Sequence, residues 1–344
     1  MNVNDLIDAI LRHSVELQAL SANEEARAEQ ILRELEGELR ALLNSRTLSE
    51  AGRRQVEALI KEAHHAIATK YVNIAGVVDV DAIVEHVADR TVQFMRETYP
   101  SETFTLPPNE VLKSLSRDIL IDGSPASAWW DKQAEDTAFR FAGIVRNGVV
   151  NNETNEQIVR RVAGGRGEPG LLDVSRRNVR ALVHSSIMTA ANRARMETYK
   201  AAFGDTSDGV RWLATLDSHT CQRCAALDGQ SWDWEGNKLN GTKADFHVAP
   251  LHVNCRCVMT PLPPDFDELF GPGFNDKFAR IGARASSQGP QASGTTFSDF
   301  LKRQSPEWVE EWMGVKRAEM YRQGKLTLTD LITKSGRQKT LEEL

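Results

Sequence analysis

The first hundred positions mix apolar and charged residues with a helical period. Leu6, Ile7, Ile10, Leu11 and Leu17 recur every few positions, as do Ile31, Leu32, Leu35, Leu39 and Leu42, so residues 1–44 read as helix. Ser21 and Asn23 are candidate caps for a second helix within that stretch, with Glu24 and Glu25 suited to its positive end. Further helices are expected over 48–71, carrying Val56, Leu59, Ile60 and Ala63 on one face, and over 79–98, carrying Ile83, Val84, Val87, Val92 and Phe94. Tyr99-Pro100 ends this pattern, because the residue before a proline is pushed out of helical geometry. Such stripes are read first as packing or coiled-coil faces.

A loop around 105–109, containing Pro107-Pro108, precedes a second helical region over 109–165 that breaks at Asp122-Gly123. Trp129 and Trp130 are adjacent and cannot share one helix face, so one is expected to pack and the other to meet a neighbouring element or partner. The glycine-rich stretch Gly164-Gly165-Arg166-Gly167 lacks the G-K-[ST] ending of a phosphate loop and follows no clear strand. A long helix over 173–201 has an apolar stripe of Val179, Leu182, Val183, Ile187, Ala190 and Ala191. It also carries Arg176, Arg177, Arg180, Arg193 and Arg195, either as a solvated face or as a contact for DNA or an acidic partner. The period changes to two at 209–216, where Val210, Trp212, Ala214 and Leu216 share one side of a strand. After Pro263-Pro264 the stretch RASSQGPQASGTT (284–296) reads as a linker. A last helical unit follows, with Phe297, Phe300, Leu301, Trp308, Trp312 and Met313 as its apolar set and Gly324 ending a helix before Leu326–Ile332. No repeat of 20–50 residues is visible.

A chain of 344 residues suggests about two domains at roughly 100–200 residues each. Hydrophobic residues at 41% and charged residues at 26% fit a globular protein and exclude collagen, wholesale disorder and a membrane channel. The net charge of -6 argues against general coating of nucleic acid while leaving room for a local basic patch. No apolar run approaches the ~20 residues of a membrane span, and the first segment lacks the basic start of a signal peptide.

All 4 cysteines lie between Cys221 and Cys257, too few for a secreted disulfide scaffold, and their clustering is the first chemical clue. Cys221 and Cys224 form C-x-x-C, and His252, Cys255 and Cys257 form H-x-x-C-x-C. Zinc takes four soft or borderline donors in a tetrahedron. A C-x-x-C turn supplies two, and a second knuckle with Cys255 joined by His252 or Cys257 would give Cys₃His or Cys₄. Two other readings stand beside this one: a β-hairpin pinned by buried thiols acting as small hydrophobes, and a redox pair, which here lacks a βαβ context. His219 and His247 are expected at the surface, with substitution as ligands open to either. There is no H-E-x-x-H and no deaminase signature, and with no evident general base nearby a metal held by these residues would be structural. Asp217 and Asp228 are read as turn residues.

The string L-D-S-H-T-C-Q-R-C-A-A-L-D-G at 216–229, followed by L-H-V-N-C-R-C at 251–257, resembles the phage Mu F-type minor head proteins, also called phage head morphogenesis proteins. Their pattern is met at Asp217, Thr220, Cys221, Cys224, Gly229, His252, Asn254, Cys255, Arg256 and Cys257. The preceding helix fits through Ala190, Asn192, Arg195 and Tyr199, and the resemblance extends over roughly 110–330. His219 stands where the family usually has Arg, and Val253 where it commonly has Pro. Some relatives keep one cysteine of the C-x-x-C, which makes Cys224, His252, Cys255 and Cys257 the more economical ligand set.

The expected fold is mainly α with a small β-containing Cys/His module, an α+β class with a long helical N-terminal arm. The expected division is a helical arm at 1–104, a helical middle at 105–204, the Cys/His module at 205–283, the linker at 284–296 and a helical C-terminal unit at 297–344. The resemblance implies a low-copy structural component of a phage head, not an enzyme. Its partners would be the portal protein, the major capsid or scaffold protein, and packaged genomic DNA. It would assemble in the host cytoplasm, reside in the virion at the head interior or portal vertex, and act in packaging or ejection. Reduced thiols during such assembly favour structural Zn²⁺ or free cysteines over disulfides. The alternative is a metal-dependent nuclease or toxin-like enzyme carried in the head, with an open metal position beside Asp217, Asp228 or His219.

Overall fold

A computed structural model describes residues 3–45, 47–99, 103–117, 119–165, 167–204, 207–262, 283–284, 286–289, 291–292 and 294–344. Pro100, Arg166, Pro263-Pro264 and parts of the expected linker lie outside the described residues. The chain is mainly helical with a small sheet, as expected. It divides into two compact units, each built from separate stretches of chain. One comprises residues 18–80 and 119–187, and the other residues 1–17, 81–118 and 188–344.

The longest helix, α1 (Val3–Asn44), runs without a break through Ser21 and Asn23. Ser21 does not cap: its hydroxyl donates to Glu25 Oε1 at 2.8 Å along the helix side. The apolar stripe of α1 is interior, with Leu6, Ile7, Ile10, Leu17, Leu32, Leu35, Leu39 and Leu43 all buried. Two helices follow, α2 (Arg53–Ala75) and α3 (Val80–Thr98), and then a short α4 (Asn109–Arg117).

At the expected break, Leu120–Ile121 (β1) and Ser124–Pro125 (β2) form a tiny antiparallel hairpin. Asp122 at φ 48° and Gly123 at φ 80° supply the two left-handed positions that a tight hairpin turn requires. Then come α5 (Ala126–Val150), α6 (Asn155–Ala163) and α7 (Leu171–Phe203). Trp130 is buried, whereas Trp129 donates its indole N–H to Ile121 O at 2.7 Å, so the two tryptophans serve different neighbours.

In the 18–80/119–187 unit, α2 packs on α5, and Tyr71, Thr137 and Ser175 form a buried hydroxyl chain with links of 2.9 and 3.2 Å. Lys70 bridges to Glu34 and Glu38 of α1 at 2.9 and 3.0 Å, and Arg146 makes a forked pair with Glu57.

The other unit holds a four-stranded antiparallel sheet, built from β3 (Val210–Leu213), β4 (Ser231–Trp232), β5 (Lys238–Leu239) and β6 (Val258–Pro261) in the order β5-β4-β3-β6. The central β3 pairs with β6 from Val210↔Pro261 to Leu213↔Val258. Gly209, at φ 144°, enters β3 where a Cβ would meet Trp232 O at 2.1 Å, so no side chain fits. Between β3 and β4 sits a short helix, α8 (Gln222–Leu227).

The stretch read as a linker contributes structure. Ala283–Arg284 (β7) pairs with Gln291–Ala292 (β8), and Ser286 bridges Leu216. Three short helices, α9 (Phe297–Leu301), α10 (Pro306–Met313) and α11 (Val315–Arg322), then share one core with the sheet. Trp212, Trp232, Phe297, Phe300 and Leu331 are fully buried or nearly so in that core. Burying one such aromatic contributes about 3–5 kcal/mol by the cost of truncating it.

Candidate metal centre

The five predicted donors meet at one end of the small sheet. Cys221 is the N-cap of α8, and its sulfur accepts the Cys224 backbone N–H at 3.4 Å. That capping turn presents Cys221 and Cys224 on the same side. The second knuckle, His252 to Cys257, turns at Asn254, which holds φ 62°, a left-handed conformation asparagine tolerates better than most residues. His252 Nε2 lies 3.1 Å from Cys221 Sγ and 3.2 Å from Cys224 Sγ, and Cys224 Sγ lies 3.6 Å from Cys255 Sγ.

The donors fall into two overlapping triads, Cys221–Cys224–His252 and Cys224–Cys255–Cys257, each with its donor atoms within 4.8 Å of one another. Cys224, Cys255 and Cys257 are buried, and Cys221 is half-buried. The sequence's economical set set Cys221 aside, whereas the structure puts it in direct contact with His252. His219 is exposed, His247 is half-buried, and neither joins a triad among the described residues.

Three observations test whether these residues suit a metal. The donor set is three or more thiols with one imidazole, which is zinc chemistry. The Cys224–Cys255 separation of 3.6 Å is close to the ~3.8 Å edge of a tetrahedron with 2.3 Å zinc–sulfur bonds. His252 Nδ1 lies 2.8 Å from Val253 O. A proton on Nδ1 donated to that carbonyl leaves Nε2 as the free donor, the arrangement usual for a metal-bound histidine.

The electrostatics point the same way. The Cys224 thiol, then His252 and the Cys224 amide, hold Cys221 down to about 4 against the opposing effect of burial. The neighbouring thiols of Cys221, Cys255 and Cys257 push Cys224 up. Contacts with Cys224 and Cys257 draw Cys255 down, while burial raises Cys257. His252 is raised to about 9, first by Cys221. Packed thiols without a cation thus alternate between ionised and protonated, because like charges this close cannot all be borne. A divalent cation would remove that conflict.

Two carboxylates brace the knuckles. Asp217 accepts the backbone N–H groups of His219 and Thr220 at 3.0 Å each and takes both guanidinium nitrogens of Arg256 at 2.7 Å. Burial alone would raise Asp217, but the Arg256 contacts and those amides outweigh it and hold the carboxyl below its usual range. The first knuckle is thereby tied to the second.

Asp228 accepts the amides of Ala214 and Phe297 at 2.8 and 2.6 Å and pairs with Arg284. Its side chain is 1% exposed and that of Arg284 3%, so this is a fully buried ion pair. Both aspartates are turn residues as read from the sequence. Their structural partners, Arg256 and Arg284, were missed as such. Arg256 sits inside the H-x-N-C-R-C string, while nothing local marks Arg284. Gly229 follows Asp228 at φ 81°. Trp312 closes this end by donating to Thr220 O at 2.7 Å, and Gln222 donates back to Trp312 O at 3.1 Å.

The arginines of α7 do not form one basic face. Arg195 is fully buried, so it cannot serve a surface contact. Its Nη2 lies 3.4 Å from His13 Nδ1, and burial lowers its pKa. Arg176 pairs with Asp173 at 2.7 Å and with Glu36, and Arg180 pairs with Glu29. Arg177 is exposed and Arg193 half-buried. Asn192, on the same helix, donates to Cys257 O and accepts from Met259 N at 3.2 Å each, holding the second knuckle against α7.

No described helix is long and apolar enough to cross a membrane. Comparison with curated proteins and with solved structures gives no match. Residues 141–260 match a family model described as phage Mu protein F like protein, a span that runs from α5 through both knuckles and into β6. Over residues 141–260 the chain is therefore similar to the phage Mu protein F like family, as its motifs indicated.

Proposed function

We propose that the chain is a low-copy structural component of a phage head. It would bind the portal protein or the inner face of the capsid or scaffold, contact the packaged DNA, and act in packaging and ejection without being an enzyme. The match of residues 141–260 to the phage Mu protein F like family carries this reading. In it the chain assembles in the host cytoplasm and remains in the virion, at the head interior or portal vertex.

Within that role the Cys/His cluster is a structural Zn²⁺ centre. Cys221, Cys224 and His252 form one close triad; Cys255, whose sulfur lies 3.6 Å from that of Cys224, is the fourth donor in this reading, and Cys257 of the second triad is a further buried thiol. Bound zinc would contribute its binding energy to folding. The chain's own residues set the frame: Asp217–Arg256 locks the knuckles together, and Asn192 fixes the second one to α7.

The alternative of a metal-dependent nuclease requires a carboxylate or histidine free to act beside an open metal position. Asp217 and Asp228 are both engaged by arginine and backbone amides, which supports the structural reading. Quantitative mass spectrometry of purified particles tests the role. A few copies per filled head, counted against the major capsid protein, is the expected result. Absence from filled heads would contradict it.

A further inference from the structure

Four lysines surround a cavity of about 550 Å³ formed by the β4–β5 region and the C-terminal segment around Asp330–Lys339. Lys238, Lys243, Lys334 and Lys339 line it, with Asp330 as the one acid in the lining and Asp245 paired to Lys238 beside it, so four positive charges face two negative ones. The chain as a whole carries -6. A concave wall focuses such a local excess and makes the cavity attractive to anions in spite of the overall charge.

The cations are unequally engaged. Lys238 pairs with Asp245 at 2.9 Å, and Lys243 lies 3.5 Å from Asp330. Asp330 itself is occupied in accepting the Thr327 amide and hydroxyl. Lys334 and Lys339 have no ion pair among the described residues, although both line the cavity. Hydrogen bonds hold part of the lining in place. Gln230 donates to Ala226 O at 2.6 Å and accepts the amides of Lys243 and Ala244 at 3.1 and 3.0 Å, fixing the turn that carries Lys243.

We propose that this cavity binds phosphate groups. Lysine ammoniums are compact donors that suit phosphate oxygens. A void of this size falls in the range of small-ligand pockets, roughly 300–1,000 Å³. The phosphates could come from a nucleic-acid strand passing over the cavity or from a free nucleoside polyphosphate within it. The site does not rest on the head-assembly role, because binding by the purified chain is independent of its presence in particles.

The test is fluorescence anisotropy at low salt on the full chain, with a labelled short single strand in one arm and a labelled nucleoside triphosphate in the other. The Lys334→Ala/Lys339→Ala variant is compared with Arg53→Ala/Arg54→Ala, which removes the same charge from exposed positions on α2. Strand binding by wild type that falls about tenfold in the lysine variant alone supports the nucleic-acid source. The log–log salt slope should then drop by about 1.4, at ~0.7 per single-strand phosphate contact. Triphosphate binding lost in the lysine variant, with no strand binding, supports the free-phosphate source. If the double variant fails to fold, Lys334→Glu, at an exposed position, takes its place. Failure of wild type to bind either probe, or equal weakening by the lysine and arginine variants, overturns the proposal.

Discussion

At the scale of single residues, two aspartate–arginine pairs, Asp217–Arg256 and Asp228–Arg284, hold the turns around the cysteines. Cysteine and histidine announce themselves by chemical type and spacing, so Cys221, Cys224, His252, Cys255 and Cys257 could be singled out before any geometry was known. The Asp228–Arg284 pair joins positions far apart in the chain, and no periodicity marks such a pair. Removing one member of a buried ion pair strands the other, at a cost of about 3–5 kcal/mol. Arg284→Ala should therefore lower the urea midpoint of the unit containing residues 188–344 strongly, and an unchanged midpoint would show that Asp228 finds solvent. Arg195 was grouped with its neighbouring arginines, yet Met188, Ala191, Asn192, Arg195 and Tyr199 share one side of α7 by their spacing, and all five are buried. That spacing was the available signal. Arg195 also bears on pH. His13 lies against it, with His86 and Arg90 nearby, and burial followed by the Arg195 charge lowers the imidazole to about 3. The folded chain keeps His13 neutral, whereas an unfolded chain protonates it near 6.5. Stability is thus complete above about 6.5 and declines as pH falls from there toward about 3. The melting temperature measured from neutral to acid pH should fall less steeply in His13→Asn, and parallel curves would refute the assignment.

At the scale of elements, the helical period located most helices to within a few residues, because buried faces impose a repeat on the sequence. Candidate caps were a weaker guide. Ser21 resembles a helix start but lies mid-helix in α1, where side-chain bonding to Glu25 occupies it instead. The stretch 284–296 resembles a linker in composition, yet it carries β8, and its first residue is the buried Arg284. Small and polar residues do not reveal a strand whose partners lie elsewhere. The N-terminal helix reads from the sequence as an arm, and an arm need not take part in a core. Its buried leucines change that expectation. Losing a single buried leucine costs about 2–5 kcal/mol, and α1 buries Leu32, Leu35, Leu39 and Leu43 in its second half alone. Deletion of residues 1–45 should abolish cooperative thermal unfolding, and a deletion variant that melts like wild type would restore the picture of a free arm.

At the scale of the whole molecule, reading from one end to the other divided the chain into consecutive blocks, whereas both compact units are discontinuous. The reason lies in α1 and α7, each long enough to contribute its first part to one unit and its remainder to the other. Fold class, the match to the phage Mu protein F like family and the place of the Cys/His cluster were all carried by local patterns. Which stretches close around one another was not. A metal held by that cluster would pin the two knuckles. Native mass spectrometry of the intact chain, purified without added metal, tests it most directly. The expected result is one zinc ion per chain, retained in Cys257→Ser and lost in Cys221→Ser and Cys224→Ser, with a lower melting temperature in the two that lose it. A folded wild-type chain that carries no metal and melts identically with and without a chelator would contradict it and leave the cysteines as packed thiols.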